Sequence, residues 1–387
     1  MNFELFTWSL RRILIFFSDT GGGHRAAANA LRDAFYFAFP GQFEITFVDG
    51  FKECAPFPFN HIPDTYFPLT AYAPWLWGAL FHSSNSRVSL PLSASFDDFI
   101  LRRGCARAIR QHRPDLVISV HPLINRAACN ALKDLNPDAP FVTVVTDLFD
   151  AHGLWFSAAA DVVIVPTQGA YERGIRWKFP REKMRVIGQP ISLKFATSDS
   201  PNAVHESQSE LRARLNLRQD LFTILLVGGG EGMGPLRAIA RAIDHANFPI
   251  QLAIIAGRNA KLLKQLQKLP WRVPVNLQGF VSNMPDWMRA SDLVITKAGP
   301  GTIMETLAAG KPMILSGYLR GQEEGNVKFV EEEGVGVLRS TPHAIVTQLR
   351  AWFDGERSQL TQMQGNAKRA ARPNAAVEIA REIVKLL

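Results

Sequence analysis

Residues 293–326 contain a strand, a glycine-bearing loop, a helix and a second strand in close succession, and this order strongly constrains the fold. The apolar run Leu293–Thr296 predicts a buried strand, and the loop Lys297–Thr302 leads into a helix that we expect to begin near Ile303. A second short strand is predicted at Met313–Leu315. Short apolar strands that alternate with helices indicate a parallel sheet covered on both faces.

The same alternation of strands and helices occurs throughout the 387-residue chain. In the first half we predict strands at Ile13–Phe17, Phe43–Val48, Leu116–Val120, Phe141–Val145 and Asp161–Pro166, with helices at Ala26–Ala38, Phe96–Gln111 and Ile124–Leu135. In the second half we predict strands at Thr223–Val227, Gln251–Ala256 and Val275–Gln278, with a helix at Ile239–Ala246. The chain is therefore expected to form two doubly wound α/β units.

A polar, turn-rich segment over residues 198–210 separates the two halves and is the best candidate for a linker. It divides the chain into one Rossmann-like domain over residues 1–197 and another over 211–365, followed by a final segment over 366–387. In open α/β sheets, ligands bind at the carboxyl ends of the strands. Two such sheets that face a central cleft would hold one ligand between them.

The residues that follow the strands of the second half suit a nucleotide-sugar. A glycine-bearing loop that enters a helix offers unpaired N–H groups to a phosphate. Glu305 lies one turn into that helix, within reach of ribose hydroxyls, and Gln322 with Glu323 offers polar groups to a further polyol. The sequence has no Asp-x-Asp motif, so we expect Arg258 and Lys297 to balance the diphosphate charge, without a metal or another cofactor.

The first half carries a second glycine loop, Gly21–Ala26, between a strand and a helix. With Asp49 after the next strand it approximates the dinucleotide fingerprint, so a nicotinamide- or flavin-dependent oxidoreductase is an alternative. The loop also places His24 at a helix N-terminus, where the helix dipole lowers the pKa of the imidazole and favours a neutral general base. Either Asp147 or Asp19 is expected to orient it.

The segment Phe51–Phe81 is dense in aromatic residues and proline and has little periodicity, which predicts an irregular surface excursion. Exposed Trp75, Trp77 and Phe81 would promote aggregation unless they meet a membrane interface or a partner. Packing within the domain and an oligomer contact are the alternatives. The hydropathy favours a segment that lies on a bilayer.

The net charge of +8 indicates an anionic partner. Arg103, Arg107 and Arg110 share one helix face, which is either simply solvated or a site for anionic lipid headgroups. We expect an anionic membrane surface as a partner and no nucleic acid. No apolar run approaches the roughly 18 to 20 residues of a membrane span, and a signal peptide is not apparent, so we expect a peripheral protein on the cytoplasmic face of a membrane.

Five sequence runs together resemble glycosyltransferase family 28, and in particular the monogalactosyldiacylglycerol synthases and processive diacylglycerol glucosyltransferases. The runs are SDTGGGHRAAANALRDAF (Ser18–Phe35), VVTDLFDAHGLWF (Val144–Phe156), VGGGEGMGP (Val227–Pro235), AGRN (Ala256–Asn259) and ITKAGPGTI with GQEEGNV (Ile295–Ile303 and Gly321–Val327). The peptidoglycan N-acetylglucosaminyltransferase MurG is similar at a greater distance. The resemblance implies the GT-B fold, with an acceptor- and membrane-binding first domain, a UDP-sugar-binding second domain and a last helix that crosses back to the first.

The resemblance also implies roles for single residues. His24 resembles the family's catalytic base, and Phe280 resembles the position that contacts uracil. Glu305 corresponds to the ribose contact, and Gln322 with Glu323 to the sugar contact. The diphosphate contacts correspond to Gly229, Gly230, Lys297, Ala298, Gly299, Gly301 and Thr302. On the acceptor side we expect Gly22, Gly23 and Trp155 to line the site. Trp155 resembles an aromatic residue that is linked, in the plant enzymes, to activation by anionic lipid. His121 lies beside them, and its sequence context leaves a site role and a structural role equally open.

These expectations combine into one hypothesis, an inverting transfer of galactose or glucose from a UDP-sugar to a hydroxyl of diacylglycerol. The first alternative is a UDP-sugar epimerase of the same fold, which would need no acceptor. The second is the dinucleotide-dependent oxidoreductase. The third is a non-enzymatic sensor of a lipid or a UDP-sugar, which would bind its ligand without turnover. The sequence does not distinguish galactose from glucose, because the two sugars differ only in the orientation of one hydroxyl.

Overall fold

The computed structural model describes residues 10–20, 22–196, 206–232, 234–355 and 357–387, except for the side chains of Phe67 and Ala71. In the N-terminal half the elements are β1 (Arg11–Phe17), α1 (Gly23–Ala38), β2 (Phe43–Asp49), α2 (Ile62–Tyr72), α3 (Pro74–Ser84), α4 (Leu90–His112), β3 (Leu116–Ser119), α5 (Pro122–Leu135), β4 (Phe141–Val144), β5 (Val162–Val165), α6 (Gln168–Arg176) and β6 (Met184–Val186). In the C-terminal half they are α7 (Gln208–Arg214), β7 (Phe222–Val227), α8 (Leu236–His245), β8 (Ile250–Ile255), α9 (Ala260–Gln267), β9 (Val275–Gln278), α10 (Met284–Ala290), β10 (Leu293–Thr296), α11 (Pro300–Ala308), β11 (Met313–Leu315), α12 (Glu324–Glu332), β12 (Gly336–Leu338), α13 (Pro342–Asp354), α14 (Arg357–Ala370) and α15 (Ala375–Val384).

The strands form two six-stranded parallel sheets, ordered β2-β1-β3-β4-β5-β6 and β12-β11-β10-β7-β8-β9. The prediction of two doubly wound α/β domains is confirmed. In each sheet the strand order reverses direction once, between β1 and β3 in the first and between β7 and β10 in the second. Loops that leave the sheet at such a switch point diverge to opposite faces and open a crevice for a ligand.

The central strands are buried on both faces, which explains why they read as apolar runs instead of alternating patterns. Ile13–Phe17 of β1 and Ile224–Val227 of β7 are almost fully buried. Helices cover each sheet on both sides, so two layers of core lie above and below each row of strands. Burial of apolar area at about 25 cal/mol per Å² is the main stabilising contribution in such a core.

The end of the chain packs against its beginning. Helix α15 contacts α1, and its buried side chains Ile379, Ala380 and Ile383 share one apolar core with the strands of the first sheet. The polar segment 198–210, which we predicted as a linker, lies outside the described residues up to 205, and its last three residues already belong to α7. The final helix thus lies on the N-terminal half of the molecule.

The segment Phe51–Phe81 differs from its predicted irregular conformation. Most of it forms α2 and the greater part of α3, and prolines occupy the first turn of each helix, where a missing N–H costs nothing. Of the three aromatic side chains expected to be exposed, Trp75 is exposed, Trp77 is half-buried and Phe81 is buried. The short strands β6 and β12 were not predicted from the sequence.

Candidate active site

The switch point of the first sheet brings His24 to the end of the neighbouring strand. His24 lies in the first turn of α1, directly after β1, and the backbone of Val120 follows β3. The imidazole Nδ1 lies 2.7 Å from the carbonyl oxygen of Val120 and 3.1 Å from the hydroxyl of Thr146. A carbonyl oxygen only accepts, so Nδ1 carries the proton and Nε2 keeps its lone pair. This tautomer can accept a proton from a hydroxyl.

Burial keeps the imidazole of His24 neutral. It lowers the pKa of His24 to about 4, and the hydrogen bond to Val120 opposes the shift only in part. The ring of His121 lies 4.5 Å away, and that of Trp155 lies 6.1 Å away. At neutral pH the side chain is therefore a neutral acceptor in a largely apolar surrounding.

The prediction that Asp147 or Asp19 orients His24 was wrong. Asp147 accepts a hydrogen bond from the indole Nε1 of Trp155 at 2.6 Å, and Asp19 forms an ion pair with Arg25. The Val120 carbonyl takes the orienting role instead. Backbone carbonyls leave no signal in a sequence, although Val120 was predicted as the last residue of its strand. Thr146 was missed for a similar reason, because threonine at a strand end is common.

His121 lies beside the site without a complete set of partners. Its Nε2 is 3.1 Å from the hydroxyl of Thr20, and its Nδ1 is buried with no hydrogen-bond partner. Burial, with a smaller contribution from His24, lowers the pKa of His121 well below its usual value. Asp49, the acid of the apparent dinucleotide fingerprint, instead accepts from the N–H groups of Phe51 and Lys52, which close the turn after β2.

Gly22 and Gly23, at the start of α1, border open space beside His24. Gly22 adopts the left-handed conformation, with φ of 80°, and forms the N-cap of α1. A side chain on Gly22 or Gly23 would meet no atom within 4 Å. The loop therefore leaves free space in front of the helix N-terminus, where an acceptor molecule can approach the imidazole.

On the opposite side of the cleft, Lys297 occupies the switch point of the second sheet. Its ammonium lies 2.5 Å from the carboxylate of Glu323, and its side chain passes close to Gly229 and Gly299. Glu323 is buried and also accepts from the N–H of Leu319 at 2.9 Å. The loops after β7, β10 and β11 thus meet around one partly buried cation.

Further predicted donor residues, Gly230, Arg258 and Phe280, lie together in the loops that follow β7, β8 and β9. Gly257 packs so tightly on the loop after β7 that a Cβ there would lie 2.3 Å from the carbonyl oxygen of Gly230, and φ at Gly257 is 60°. This contact sets Arg258 beside Gly230, where its guanidinium pairs with Glu231 at 2.9 Å and lies 4.6 Å from the ring centre of Phe280. Phe280 itself is exposed, so one ring face is available to a base.

Helix α11 presents its N-terminus to the same crevice. It begins at Pro300, slightly earlier than predicted, and the N–H groups of Gly301 and Thr302 lie in its first turn. The backbone of Ala298 is held in place, because its carbonyl oxygen accepts a hydrogen bond from the side-chain amide of Asn326 at 2.8 Å. Burial raises the pKa of Glu305, on the next turn, to about 7, although part of its side chain remains exposed.

The two sides of the cleft touch at several points. Helix α1 contacts α11, so the helix that carries His24 lies against the helix that offers its N-terminus. Burial raises the pKa of Asp147 of the first domain to about 6, although Trp155 and the Gln322 side chain of the second domain act to lower it. Trp155 is fully buried beside Asp147, so a lipid surface would reach it only through other residues.

Most of the exposed large apolar side chains of the first domain come from one stretch of the chain. Its exposed side chains are Phe57, Tyr72, Trp75, Leu76, Leu80, Val88, Leu92, Phe96 and Phe99, all carried by α2 to α4 and their connections. Tyr72 and Phe99 are each 83 % exposed. We call this set the apolar face. Isolated exposed apolar residues are ordinary, but a concentration of this size in one part of the chain marks an interaction surface.

One side of helix α4 carries apolar residues of the apolar face in its first half and arginines in its second half. Residues 92, 96, 99, 103, 107 and 110 follow one another at intervals of three or four, so they share a single side of the helix. The first three are Leu92, Phe96 and Phe99, and the last three are the predicted arginines Arg103, Arg107 and Arg110, all of them exposed. We call this row the α4 stripe.

Neither a membrane-spanning helix nor a metal cluster is found in the parts of the chain that the structure describes. No helix among the described residues is both long and apolar enough to cross a bilayer. The same residues contain no group of three or more His, Cys, Asp or Glu side chains arranged to hold a metal ion. Cys54, Cys105 and Cys129 are buried free thiols.

Comparison with solved structures defines the class of protein. The MurG protein of Acinetobacter baumannii covers 97% of the chain with a TM-score of 0.62 at 17% identity, and 99% of that protein is matched. A UDP-GlcNAc 2-epimerase of Neisseria meningitidis, solved with UDP-GlcNAc, gives a TM-score of 0.62 at 15% identity, covering 97% of this chain and all of its own. Residues 223–380 match the profile of the glycosyltransferase family 28 C-terminal domain. The protein is a GT-B glycosyltransferase.

Sequence relatives define the family within this class. Residues 24–191 match the profile described as monogalactosyldiacylglycerol (MGDG) synthase. The chain is 36% identical to the chloroplastic monogalactosyldiacylglycerol synthase of Spinacia oleracea over 98% of its own length and 73% of the relative's. It is 35% identical to monogalactosyldiacylglycerol synthase 1 of Arabidopsis thaliana over 97% and 71%. The chain belongs to the monogalactosyldiacylglycerol synthase family, and it is an enzyme of the hexosyltransferase type.

Proposed function

We propose that this enzyme transfers galactose or glucose from a UDP-sugar to a hydroxyl of diacylglycerol, with inversion at the anomeric carbon. The observation that carries the proposal is the hydrogen bond between His24 Nδ1 and the Val120 carbonyl, which leaves Nε2 as a proton acceptor in the cleft. The His24 imidazole lies opposite a set of anion-binding groups on the second domain. An acceptor hydroxyl and a nucleotide-sugar placed between them would react in line.

The donor would lie along the carboxyl ends of the second sheet. Phe280 offers a ring to the uracil, and Glu305 faces the ribose. The diphosphate would be bound by the N–H groups of Gly301 and Thr302, at the positive end of a helix dipole. The positively charged side chains of Lys297 and Arg258 would also face it. Gln322 and Glu323 then face the sugar. In this arrangement no divalent metal is needed to hold the leaving group.

The chemical step is a single displacement. As the acceptor oxygen forms its bond to the anomeric carbon, its proton passes to Nε2 of His24 and the bond from that carbon to UDP breaks. Burial alone makes His24 a weak base. The bound diphosphate supplies negative charge that raises the pKa of the imidazole, so the base strengthens when the donor is present. UDP leaves from the face opposite the attacking oxygen.

The lipid acceptor would reach the cleft from a membrane. We propose that the apolar face rests on the bilayer while the arginines of the α4 stripe meet anionic headgroups. Peripheral attachment of this kind presents diacylglycerol, which stays in the bilayer, to the N-terminal side of the cleft. The names of the family's plant members, which are chloroplastic enzymes of galactolipid synthesis, support this acceptor class.

A transfer assay tests the proposal directly. Radiolabelled UDP-galactose and UDP-glucose are incubated separately with the enzyme and vesicles that contain diacylglycerol, and the lipid phase is analysed for labelled glycolipid. We expect label in the lipid from at least one donor. A product analysis by NMR gives the anomeric configuration, which should be inverted. Labelled glycolipid from neither donor would refute the proposal.

The epimerase alternative has structural support, because a 2-epimerase shares the fold. It predicts that free UDP-sugar is converted to its epimer in the absence of any lipid. The same labelled donors incubated without vesicles decide between the two. Epimer formation without acceptor, together with no glycolipid, would replace the transferase proposal.

A further inference from the structure

The side-chain amide of Gln322 is held at both ends by the first domain. Its Oε1 accepts from the hydroxyl of Tyr66 at 3.4 Å, and its side chain lies close enough to the carboxylate of Asp147 to lower the pKa of that group. A carboxylate only accepts, so the amide NH₂ faces Asp147. One N–H and one lone pair of the amide therefore remain for a ligand. Tyr66 lies in α2, 256 residues away in sequence.

The hydroxyl of Tyr66 lies near enough to two acidic side chains to be affected by their charge. Burial raises the pKa of Tyr66, and the charges of Glu323 and Asp147 raise it further. The phenol therefore stays protonated and acts as a donor at every working pH. Its ring meets that of Trp77 edge to face at a centroid distance of 5.1 Å. This packing fixes the direction in which the hydroxyl points.

The hairpin of α2 and α3 is packed on the loop that carries Gln322. A Cβ on Gly78 would lie 3.1 Å from Cβ of Arg320, and one on Gly321 would lie 2.9 Å from the ring of Phe81. Such distances mean that helix and loop touch without space for an extra methyl group. The opposite side of α3 exposes Trp75, Leu76 and Leu80 as part of the apolar face.

We propose that Tyr66 is a positioning residue for the donor sugar. Its hydroxyl orients the side-chain amide of Gln322, and Gln322 in turn contacts the sugar. This inference rests on the proposed function, because it takes Gln322 as a contact of the sugar. The donor site is then complete only when the α2–α3 hairpin of the acceptor domain is packed on residues 318–323. Tyr66 affects the sugar part of the donor and leaves the UDP part unchanged.

The predicted effect is specific because UDP and the sugar occupy different ends of the site. Tyr66 hydrogen-bonds Gln322 and packs on Trp77, whereas Phe280, Glu305 and the N-terminus of α11 belong to other elements of the second domain. Without its hydroxyl donor, the Gln322 amide loses one of its two restraints and can rotate. A neutral hydrogen bond contributes about 0.5–1.5 kcal/mol, which corresponds to a change of roughly 2- to 10-fold in affinity.

The test is Tyr66→Phe, which removes one oxygen atom and keeps the ring. Binding of UDP, UDP-galactose and UDP-glucose to wild type and variant is measured by isothermal titration calorimetry, and KM and kcat by transfer to diacylglycerol vesicles. We expect the Kd and KM of the transferred UDP-sugar to rise roughly 2- to 10-fold. The Kd of UDP and the binding of vesicles should not change.

The matched control is Tyr36→Phe in α1. Tyr36 is exposed and lies outside the apolar face and the donor site, so its hydroxyl should contribute nothing to donor binding. Equal affinity for the UDP-sugar in wild type and Tyr66→Phe would overturn the proposal. So would a parallel loss of UDP affinity, because that result would indicate a general distortion of the site.

Two further measurements separate the possible failures. In a Gln322→Ala background, Tyr66→Phe should add no further loss of sugar affinity, and an additive loss would contradict the proposed route through Gln322. Gly78→Ala, which pushes α3 away from Arg320 without changing Tyr66, should reproduce the loss if Tyr66→Phe proves poorly folded. If wild type transfers neither sugar, the proposed function fails by itself, independently of these variants.

Discussion

At the scale of single residues, the first domain is distinguished by three histidines whose pKa values are lowered by burial. Burial lowers the pKa values of His24 and His152 to about 4, and that of His121 falls well below its usual value. All three are therefore neutral at pH 7. Only His24 combines this state with a hydrogen bond that fixes its tautomer toward an open loop, which separates it from the other two.

Replacement of His24 by alanine should remove most of the turnover. Loss of a general base typically lowers the rate by about 10²–10⁴-fold, and UDP affinity should stay at the wild-type value because His24 lies on the other domain. Transfer kinetics and calorimetry with UDP measure the two quantities. His245→Ala, at an exposed histidine of α8, is the control and should leave both unchanged. Near-wild-type turnover of His24→Ala would exclude it as the base.

The pH dependence of the reaction should follow Asp147 instead of His24. Burial raises the pKa of Asp147 to about 6, so its carboxylate is ionised above that pH and protonated below it. Only the ionised form accepts strong hydrogen bonds from both Trp155 and Gln322. We expect kcat/KM to fall as the pH decreases through about 6, whereas His24, with a pKa of about 4, does not titrate there.

Asp147→Asn tests this assignment, because an amide oxygen can still accept a hydrogen bond but does not ionise. The variant should be less active at pH 8 and nearly independent of pH between 5 and 8. Profiles of kcat/KM for both proteins give the answer. An acid limb near pH 6 that persists in Asp147→Asn would assign the titration to another group, of which Glu305, with a pKa of about 7, is the first candidate.

At the scale of elements, α4 combines the two kinds of contact that a membrane surface offers. The α4 stripe begins with apolar side chains and ends with arginines on the same side of a 23-residue helix. At 1.5 Å per residue, Phe99 and Arg110 lie about 16 Å apart along the axis. A helix tilted into the interface would place its first half among acyl chains and its second half among headgroups.

Variants along the α4 stripe should separate these two contributions. Phe96→Ser with Phe99→Ser should weaken binding to neutral and anionic vesicles alike. Changing Arg103, Arg107 and Arg110 together to glutamine should leave neutral vesicles unaffected and weaken anionic binding roughly 100-fold at low salt, at about 1 kcal/mol per charge. Cosedimentation at two salt concentrations measures both effects.

The control for this experiment is Arg102→Gln on the same helix. Arg102 lies off the stripe and is paired with Asp98 and Asp134, so it should not contribute to anionic vesicle binding. If Arg102→Gln weakens binding as much as a stripe arginine does, the effect reflects net charge alone. Unchanged binding of the double serine variant would argue that another part of the apolar face makes the membrane contact.

The elements also show what the sequence allows one to predict. Buried parallel strands are short apolar runs, so β10 and β11 were placed at their observed bounds, and the residues after each strand followed from the topology. The α2–α3 hairpin was missed because its apolar residues occupy both sides of each helix, one against the protein and one exposed, which erases the helical period.

Contacts between the domains could not be predicted for a different reason. Tyr66 and Gln322 are far apart in sequence, and neither residue type signals a partner. The pairing of Asp147 with Trp155 and Gln322, and of His24 with the Val120 carbonyl, likewise depends on side-chain directions that only the packed cleft defines. The sequence thus indicated which loops form the site, whereas the assembled structure assigns the partners within it.

At the scale of the whole molecule, α1 connects three functions. It carries His24, contacts α11 across the cleft and packs against α15. The C-terminus is further bound by the guanidinium of Arg11, which donates to the carbonyl oxygen of Leu387, and by an ion pair of Arg185 with Glu382 at 3.2 Å. The last helix therefore stabilises the half of the molecule that contains the base.

Replacing Ile383 in α15 should accordingly destabilise the N-terminal half of the molecule. Ile383 is fully buried in the core that it shares with the first sheet, so Ile383→Ala should lower the free energy of unfolding by about 2–5 kcal/mol. Arg381→Ala, at an exposed position two residues earlier, should change it by less than about 0.5 kcal/mol. Denaturation in urea gives both values, and hydrogen exchange should show the loss of protection in β1 and α1, with β7 and β10 unaffected. Equal loss of protection in both sheets would mean that α15 stabilises the two domains as one cooperative unit.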